Sequence, residues 1–396
     1  MNWFNFIRLM RMIYGKNVRI NLNKIQKMGL LAVKIGQVHA LRLDFLPVEK
    51  CQELAKLYRS TIPIDTEKVL SRIDSNKFKE IDDNPLASAS VGQVHKASLK
   101  DGTPVVIKII KNNFKEKFKK DVRSVRKFVK TILFFYPKLK KVFDPIGILE
   151  HIEDYTLKEL NLLNEIEGHE TLKAIYDKHK ESYNLSKLVF PKIYKKLSSE
   201  NIMVSEYIPG KTFDEVLESD LPYEKLLDLF HIHGFYIFNI GTFHGDIHPG
   251  NLMHHNDKIY FIDTGAIGHV KKKTQKGLFN FFDALSQFDY PKSAYYINEM
   301  AEQGISHKKY EHFQQKFLNL YQDFTNSTVS QVSLTKKMME TIKLGVNCGM
   351  KFDKGMFAII KSLMFLDGMV LRNNPDAILL KDMRRFIGEL NSFNIK

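Results

Sequence analysis

The segment His244-Gly245-Asp246-Ile247-His248-Pro249-Gly250-Asn251, with the downstream run Ile259-Tyr260-Phe261-Ile262-Asp263-Thr264-Gly265, narrows the possible folds more than any other stretch of this chain. It sets Asp246 five residues before Asn251 and places a second aspartate, Asp263, on a turn directly behind an apolar strand signal. His244, Asp246 and His248 alternate, so on a strand they would share one face and offer ligands to a transition metal. Pro249-Gly250 speaks against that reading, because it ends a strand at once and no further ligand cluster completes the site.

A second signal lies upstream. Pro85 to Ala97 reads as a small-residue hairpin loop, in which Ala87, Ser88, Ala89, Ser90, Val91 and Gly92 would let backbone N–H groups approach phosphates without obstruction. Lys100-Asp101-Gly102-Thr103 is a tight-turn signal, and the apolar run Val105 to Ile110 behind it carries Lys108. Either element alone is commonplace. In this order, ahead of Asp246 and Asn251, they resemble the phosphoryl-transfer machinery of a protein-kinase-like fold, whose strand lysine reaches the α- and β-phosphates.

Lys34-Ile35-Gly36-Gln37 matches a KxGQ signature, Ala87 to His95 an Ala-rich loop ending in GQVH, and His244 to Asn251 an HGDxHPGN loop. Together the three resemble the UbiB/AarF atypical kinase-like family, associated with ubiquinone biosynthesis and isoprenoid-lipid metabolism, over roughly residues 25 to 270. The resemblance implies an α+β, bilobal protein-kinase-like fold with a helical N-terminal extension bearing the KxGQ motif. It implies ATP and Mg2+ as cofactors, Asp246 and Lys108 as catalytic residues, and Asn251 and Asp263 as metal ligands. Glu159 and Glu165 resemble the glutamates of the following helix; Glu165 is assigned to Lys108 and Glu159 to Lys34, although spacing leaves the pairing open. The backbone at Glu206 and Ile208, before Pro209-Gly210, resembles an adenine-binding hinge. The chain departs from the family at Asn161, which removes a carboxylate near Lys34, at His169, and at Thr264, where an aromatic residue is usual.

On a helix Lys34 and Gln37 would neighbour one another, and Gly36 would let that helix approach another backbone closely. In the family this element covers the site where a kinase binds a protein substrate. The resemblance therefore implies ATPase-like chemistry or a small lipid substrate rather than protein phosphorylation.

The net charge of +15 is uneven: residues 1 to 43 hold eight Lys and Arg and no acid, and Lys108 to Lys141 is again basic. An anionic partner is expected. Trp3, Phe4, Phe6, Ile7, Leu9, Met10, Ile13 and Tyr14 around Arg8 and Arg11 read as a basic amphipathic helix, either resting on an anionic membrane surface or packed on the fold. Nucleic acid is disfavoured, since no binding module is recognisable. The longest apolar stretch, Gly355 to Leu371, is broken by Lys361 and Asp367, so a spanning helix is not expected. A cytoplasmic protein peripherally associated with the inner membrane is the expected setting, with an isoprenoid or quinone-like lipid and quinone-biosynthesis proteins as partners. Two cysteines are too few for a disulfide framework.

Signal order divides the chain into a helical extension (1–75, with breaks at Pro47 and Pro63), a small nucleotide-binding lobe (76–210, including strands near Leu188 to Ile193 and a basic helical insertion at 111–149) and a mainly helical large lobe (211–396). Alternative functions are a small-molecule kinase of the aminoglycoside or choline kinase type, which would lack the KxGQ helix and Ala-rich loop, and a nucleotide-sensing membrane adaptor without catalysis, against which the intact Lys108, Asp246, Asn251 and Asp263 speak.

Overall fold

The strand β3 (Pro104–Ile110) has two unlike faces, as period-two alternation requires: Val105, Ile107 and Ile109 are fully buried on one side, and Lys108 projects from the other. It is central in a four-stranded antiparallel sheet of order β1-β2-β3-β5, with β1 at Phe78–Ser88, β2 at Gly92–Leu99 and β5 at Ile202–Glu206. Phe78, Ala97 and Val204 complete the apolar layer on the Val105 side. The expected turn at Lys100 to Thr103 joins β2 to β3; Gly102 takes φ +86°, and the Asp101 carboxylate accepts from the Thr103 N–H at 2.9 Å.

The structure, a computed structural model, describes residues 1–16, 19–40, 46–58, 70–88, 91–110, 114–135, 145–353 and 355–394. They form two compact units, Met1–Glu167 with Pro191–Tyr207, and Gly168–Phe190 with Ile208–Lys396. Pro63, Ala89, Ser90 and parts of the basic insertion lie outside the described residues.

In the first unit the sheet is accompanied by α1 (Trp3–Tyr14), α2 (Leu22–Lys27), α3 (Leu30–Ala40), α4 (Val48–Ala55), α5 (Phe114–Phe135), α6 (Pro145–Glu159) and the start of α7 (Leu162–His179). The basic insertion proves to contain a core helix. Phe118, Val122, Val125, Val129 and Leu133 of α5 recur at helical spacing and are buried with Leu9, Ile13, Ile35 and Ile152, while its lysines take the outer face. α1 likewise buries Leu9 and Ile13, whereas Phe4, Arg8 and Arg11 share its exposed face.

The second unit holds a four-stranded sheet of order β4-β9-β8-β6 (Leu188–Val189, Lys258–Phe261, Leu252–His255, Lys211–Thr212) and a separate pair, β7 (Thr242–His244) with β10 (Ile267–His269). β4 corrects an expectation. It pairs in parallel with β9 of this unit rather than joining the first sheet, because Pro191 lacks a backbone donor and interrupts the run; beyond it an isolated bridge joins Ile193 to Ser205 of β5. The helices α8 (Phe213–Val216), α9 (Tyr223–Gly234), α10 (Lys272–Ser286), α11 (Tyr290–Met300), α12 (His307–Leu320), α13 (Leu334–Cys348), α14 (Met356–Asn373), α15 (Leu379–Asp382) and α16 (Arg384–Asn394) supply the rest. Pro222 caps α9 and Pro291 sits in the first turn of α11, at the helix starts the sequence marks. Between α9 and β7 the chain forms a π-helical turn, Phe235–Ile240, closed by Gly241 at φ +81°. Among the described residues no helix is long and apolar enough to cross a membrane.

Candidate phosphoryl-transfer site

In the first unit the Ala-rich segment is mostly strand. Ala87 and Ser88 belong to β1, opposite Val94 and Gln93 of β2, rather than to an open loop from Ala87 to Gly92. On its other side β2 pairs with β3 as far as Gly92 opposite Ile110, where a Cβ would lie 2.9 Å from the Ile109 carbonyl oxygen. Gln93 and His95, which the sequence reading passed over, are fully buried, and the His95 ring bonds the Asp82 carbonyl at 2.9 Å. Their alternate positions on β2 were the signal for one shared inner face.

Lys108 Nζ donates to both Glu165 carboxylate oxygens, at 2.9 and 2.7 Å, with both side chains largely buried. Lys34 pairs with Glu159, and both members of that pair sit on neighbouring helices of the first unit. The geometry thus settles a pairing that spacing left open. Asn161, where the family pattern would place a carboxylate, caps α7 instead: its Oδ1 accepts from the Leu163 N–H at 3.0 Å. The remaining KxGQ residues both address Leu57. Gln37 donates to its carbonyl at 2.9 Å, and a Cβ on Gly36 would lie 2.5 Å from its Cδ1. The close approach at Gly36 is therefore to a side chain, not to a backbone as the sequence suggested. At the expected hinge, the Glu206 N–H donates to the Lys192 carbonyl at 2.8 Å, which commits that donor; Ile208 is buried and begins the second unit's next segment.

In the second unit the loop from His244 to Asn251 is built by its own histidines. The Asp246 N–H donates to His244 Nδ1 at 3.2 Å, and the Gly250 N–H to His248 Nδ1 at 3.0 Å, so both rings brace turns of the loop. Burial pushes His244 down to about 4, keeping the ring an uncharged acceptor at neutral pH. Gly245 donates to the Ala266 carbonyl at 2.7 Å, which ties the loop to the segment following Asp263. The Asn251 side-chain amide donates to the Asp246 carbonyl at 2.9 Å, leaving its amide oxygen as the atom a hard cation would take. Asp263 follows β9, and its Oδ1 lies 3.4 Å from the Gly265 N–H.

Among the described residues no group of three His, Cys, Asp or Glu is arranged to hold a metal. Asn251 and Asp263 offer oxygen donors of the kind magnesium would accept alongside its waters and substrate phosphates. Sequence reasoning missed Lys361 entirely. It stands on α14 with its Nζ 2.9 Å from Asp246 Oδ1, and both side chains are mostly buried. In the sequence it registered only as an interruption of an apolar stretch, which was the available clue.

The model of the ABC1 atypical kinase-like domain matches residues 60–297, well over half of the chain. The chain belongs to that family. ABC1-type relatives include a "Probable protein kinase UbiB" of Sodalis glossinidius, 26% identical over 95% of this chain and 70% of its own length. A "Uncharacterized protein in hydrogenase 1 5'region" of Clostridium pasteurianum is 27% identical over 98% of this chain and 74% of its own length. A solved structure, the Rv3197–erythromycin complex of Mycobacterium tuberculosis, superposes with a TM-score of 0.51 at 18% identity, covering 94% of this chain and 96% of that one. The resemblance to the UbiB/AarF atypical kinase-like family drawn from the three motifs, and the kinase-like fold it implied, are borne out.

Proposed function

We propose that this chain is a UbiB-like ATPase or kinase that binds Mg-ATP and supports ubiquinone or other isoprenoid-lipid metabolism at an anionic membrane surface. The observation that carries the reading is the buried Lys108–Glu165 pair, with two hydrogen bonds on one ammonium. A lysine fixed in that way presents its charge at a set position, as contact with α- and β-phosphates requires. Ala87 to Gly92 would line the phosphates, and Glu206 and Ile208 would meet adenine. Asn251 and Asp263 would hold magnesium, which when bound neutralises phosphate charge.

Asp246 would accept the proton of the attacking hydroxyl or water as its oxygen bonds to the γ-phosphorus and ADP departs. The exposed Trp3 and Phe4, beside Arg8 and Arg11, support a peripheral contact with an anionic membrane surface. The test is magnesium-dependent ATP turnover measured with and without phosphatidylglycerol- or cardiolipin-rich liposomes and quinone-precursor mimics, followed by mass spectrometry of the extracted lipids. Turnover that rises with liposomes is expected. A protein that neither binds nor turns over ATP would overturn the reading.

A further inference from the structure

No Lys or Arg lies between His244 and Asn251, so the loop bearing Asp246 has no permanent cation of its own. Phosphoryl transfer spreads negative charge over the transferred group, and fixed positive charge aimed there is the main thing a protein can add. In this chain such a charge arrives from α14. Lys361 and Phe365 are four residues apart and share one face of that helix. The Lys361 ammonium sits 2.9 Å from Asp246 Oδ1, and the Phe365 ring meets the His248 ring edge-on at 5.2 Å. The Lys361 ammonium also lies over the Phe365 ring at 5.8 Å. One helical face therefore grips the loop at its aspartate and at its second histidine.

A lysine in the middle of an otherwise apolar helix face, only 9% exposed, is expensive to keep there unless paired. Held on Asp246, it stands where a transferred phosphoryl must come if Asp246 is to serve the attacking oxygen.

Resting on the reading of Asp246 given above, we propose that Lys361 is a catalytic residue of the loop, orienting the Asp246 carboxylate and contacting the γ-phosphoryl group of ATP. As the acceptor oxygen bonds to the γ-phosphorus, the bond from that phosphorus to the β–γ bridging oxygen breaks and its electron pair leaves with ADP. The acceptor's proton passes to Asp246, and Lys361 keeps its own proton throughout, supplying charge alone. The residue was invisible to motif reading because it lies 115 positions beyond Asp246, far outside the loop it serves.

The experiment compares Lys361→Met and Lys361→Arg with the wild-type chain. It measures kcat and KM for Mg-ATP, and the dissociation constants of Mg-ADP and of Mg-β,γ-imido-ATP. Lys361→Met should lower kcat about 100-fold and weaken the imido analogue about tenfold relative to ADP, with ADP binding unchanged; Lys361→Arg should recover part of both. A lysine that only braces the fold would shift both nucleotides alike or neither. If Lys361→Met fails to fold because Asp246 is stranded, Asp246→Asn/Lys361→Met against Asp246→Asn reads the same affinity ratio without the buried charge. If the wild type binds nucleotide without turning it over, the catalytic part of the proposed function falls, and the affinity ratio still decides whether Lys361 meets the γ-phosphoryl. Wild-type kcat in Lys361→Met, or an unchanged ratio of the two nucleotides, would overturn the proposal. A wild-type chain that binds neither nucleotide would overturn both.

Discussion

Lys108 and Glu165 illustrate how unforgiving a buried charge pair is to single substitutions. Removing one partner leaves the other desolvated without compensation, which costs about 3–5 kcal/mol. Glu165→Leu should destabilise by that order in urea unfolding, and Lys108→Met/Glu165→Leu should be markedly more stable than Glu165→Leu alone. Equal stability of the single and double variants would show that the pair carries little. Asp263→Asn and Asp246→Asn should separate two roles. The first should abolish magnesium-dependent nucleotide stabilisation, a shift of about 2.7 kcal/mol at 100-fold excess over Kd, and a retained thermal shift would remove Asp263 from the metal. The second should keep the shift and lose turnover. The identities of these residues were legible in the motifs, and the partner that the resemblance assigned to each lysine is the one the structure shows, although spacing alone left the pairing open. Which glutamate meets which lysine depends on how α6 and α7 lie against α3 and β3, and separation along the chain says nothing of that.

At the level of helices, one face decides what an element can do. α1 was legible as amphipathic, yet the sequence could not say which side would be covered. The structure buries Leu9 and Ile13 and leaves Trp3, Phe4, Arg8 and Arg11 outside. Deleting the helix would therefore open the core, and charge reversal is the cleaner probe. Arg8→Glu/Arg11→Glu should weaken co-sedimentation with phosphatidylglycerol-rich liposomes while leaving the melting temperature unchanged, since each basic residue near an anionic leaflet contributes about 1 kcal/mol. Equal co-sedimentation at physiological salt would assign α1 to packing alone. Gly168 on α7 makes a different point: a Cβ there would lie 2.1 Å from the Thr264 carbonyl oxygen, whereas Gly388 on α16 has nothing within 4 Å. Gly168→Ala should cost on the order of 1–3 kcal/mol, and Gly388→Ala should be neutral or gain about 0.5–1 kcal/mol. Both are measurable by thermal unfolding, and a harmless Gly168→Ala would mean that the Asp263-Thr264-Gly265 turn yields. Thr264 in place of an aromatic residue is consistent with this closeness, because the turn is already packed through its backbone.

Across the whole molecule, buried histidines set the response to acid. Burial pushes His169 and His244 down to about 4 and His233 to about 3, all from an ordinary 6.5. The unfolded chain takes up protons as pH falls below 6.5 while the folded chain does not until near 4, so stability is fully present above 6.5 and declines through that window. His233→Phe should remove about one proton from the slope, roughly 1.4 kcal/mol per pH unit. Urea unfolding at pH 7.5, 6 and 5 checks this, and a wild-type stability that stays flat from 7.5 to 5 would refute it. Most of the architecture was legible: the hairpin, the helical extension, the large helical unit and the order of the motifs. What stayed hidden were contacts set by packing, such as Lys361 on Asp246, the core role of α5 and the pairing of β4, which depend on distant segments.

The π-turn at Phe235–Ile240 carries one residue more than an α-helical path over the same span would need. Each residue of an α-helix advances the chain by about 100°, so removing the extra one would change the direction in which the chain leaves toward β7 and the loop bearing Asp246. Side-chain changes in this turn are ordinary core changes, but losing a single residue from it would let the helix heal into a regular one and rotate the outgoing strand. A deletion scan through 235–240 should accordingly yield chains with more helix by circular dichroism and, on the proposed function, lost turnover: the count of residues in one turn would then matter to the site as much as the identity of its aspartates.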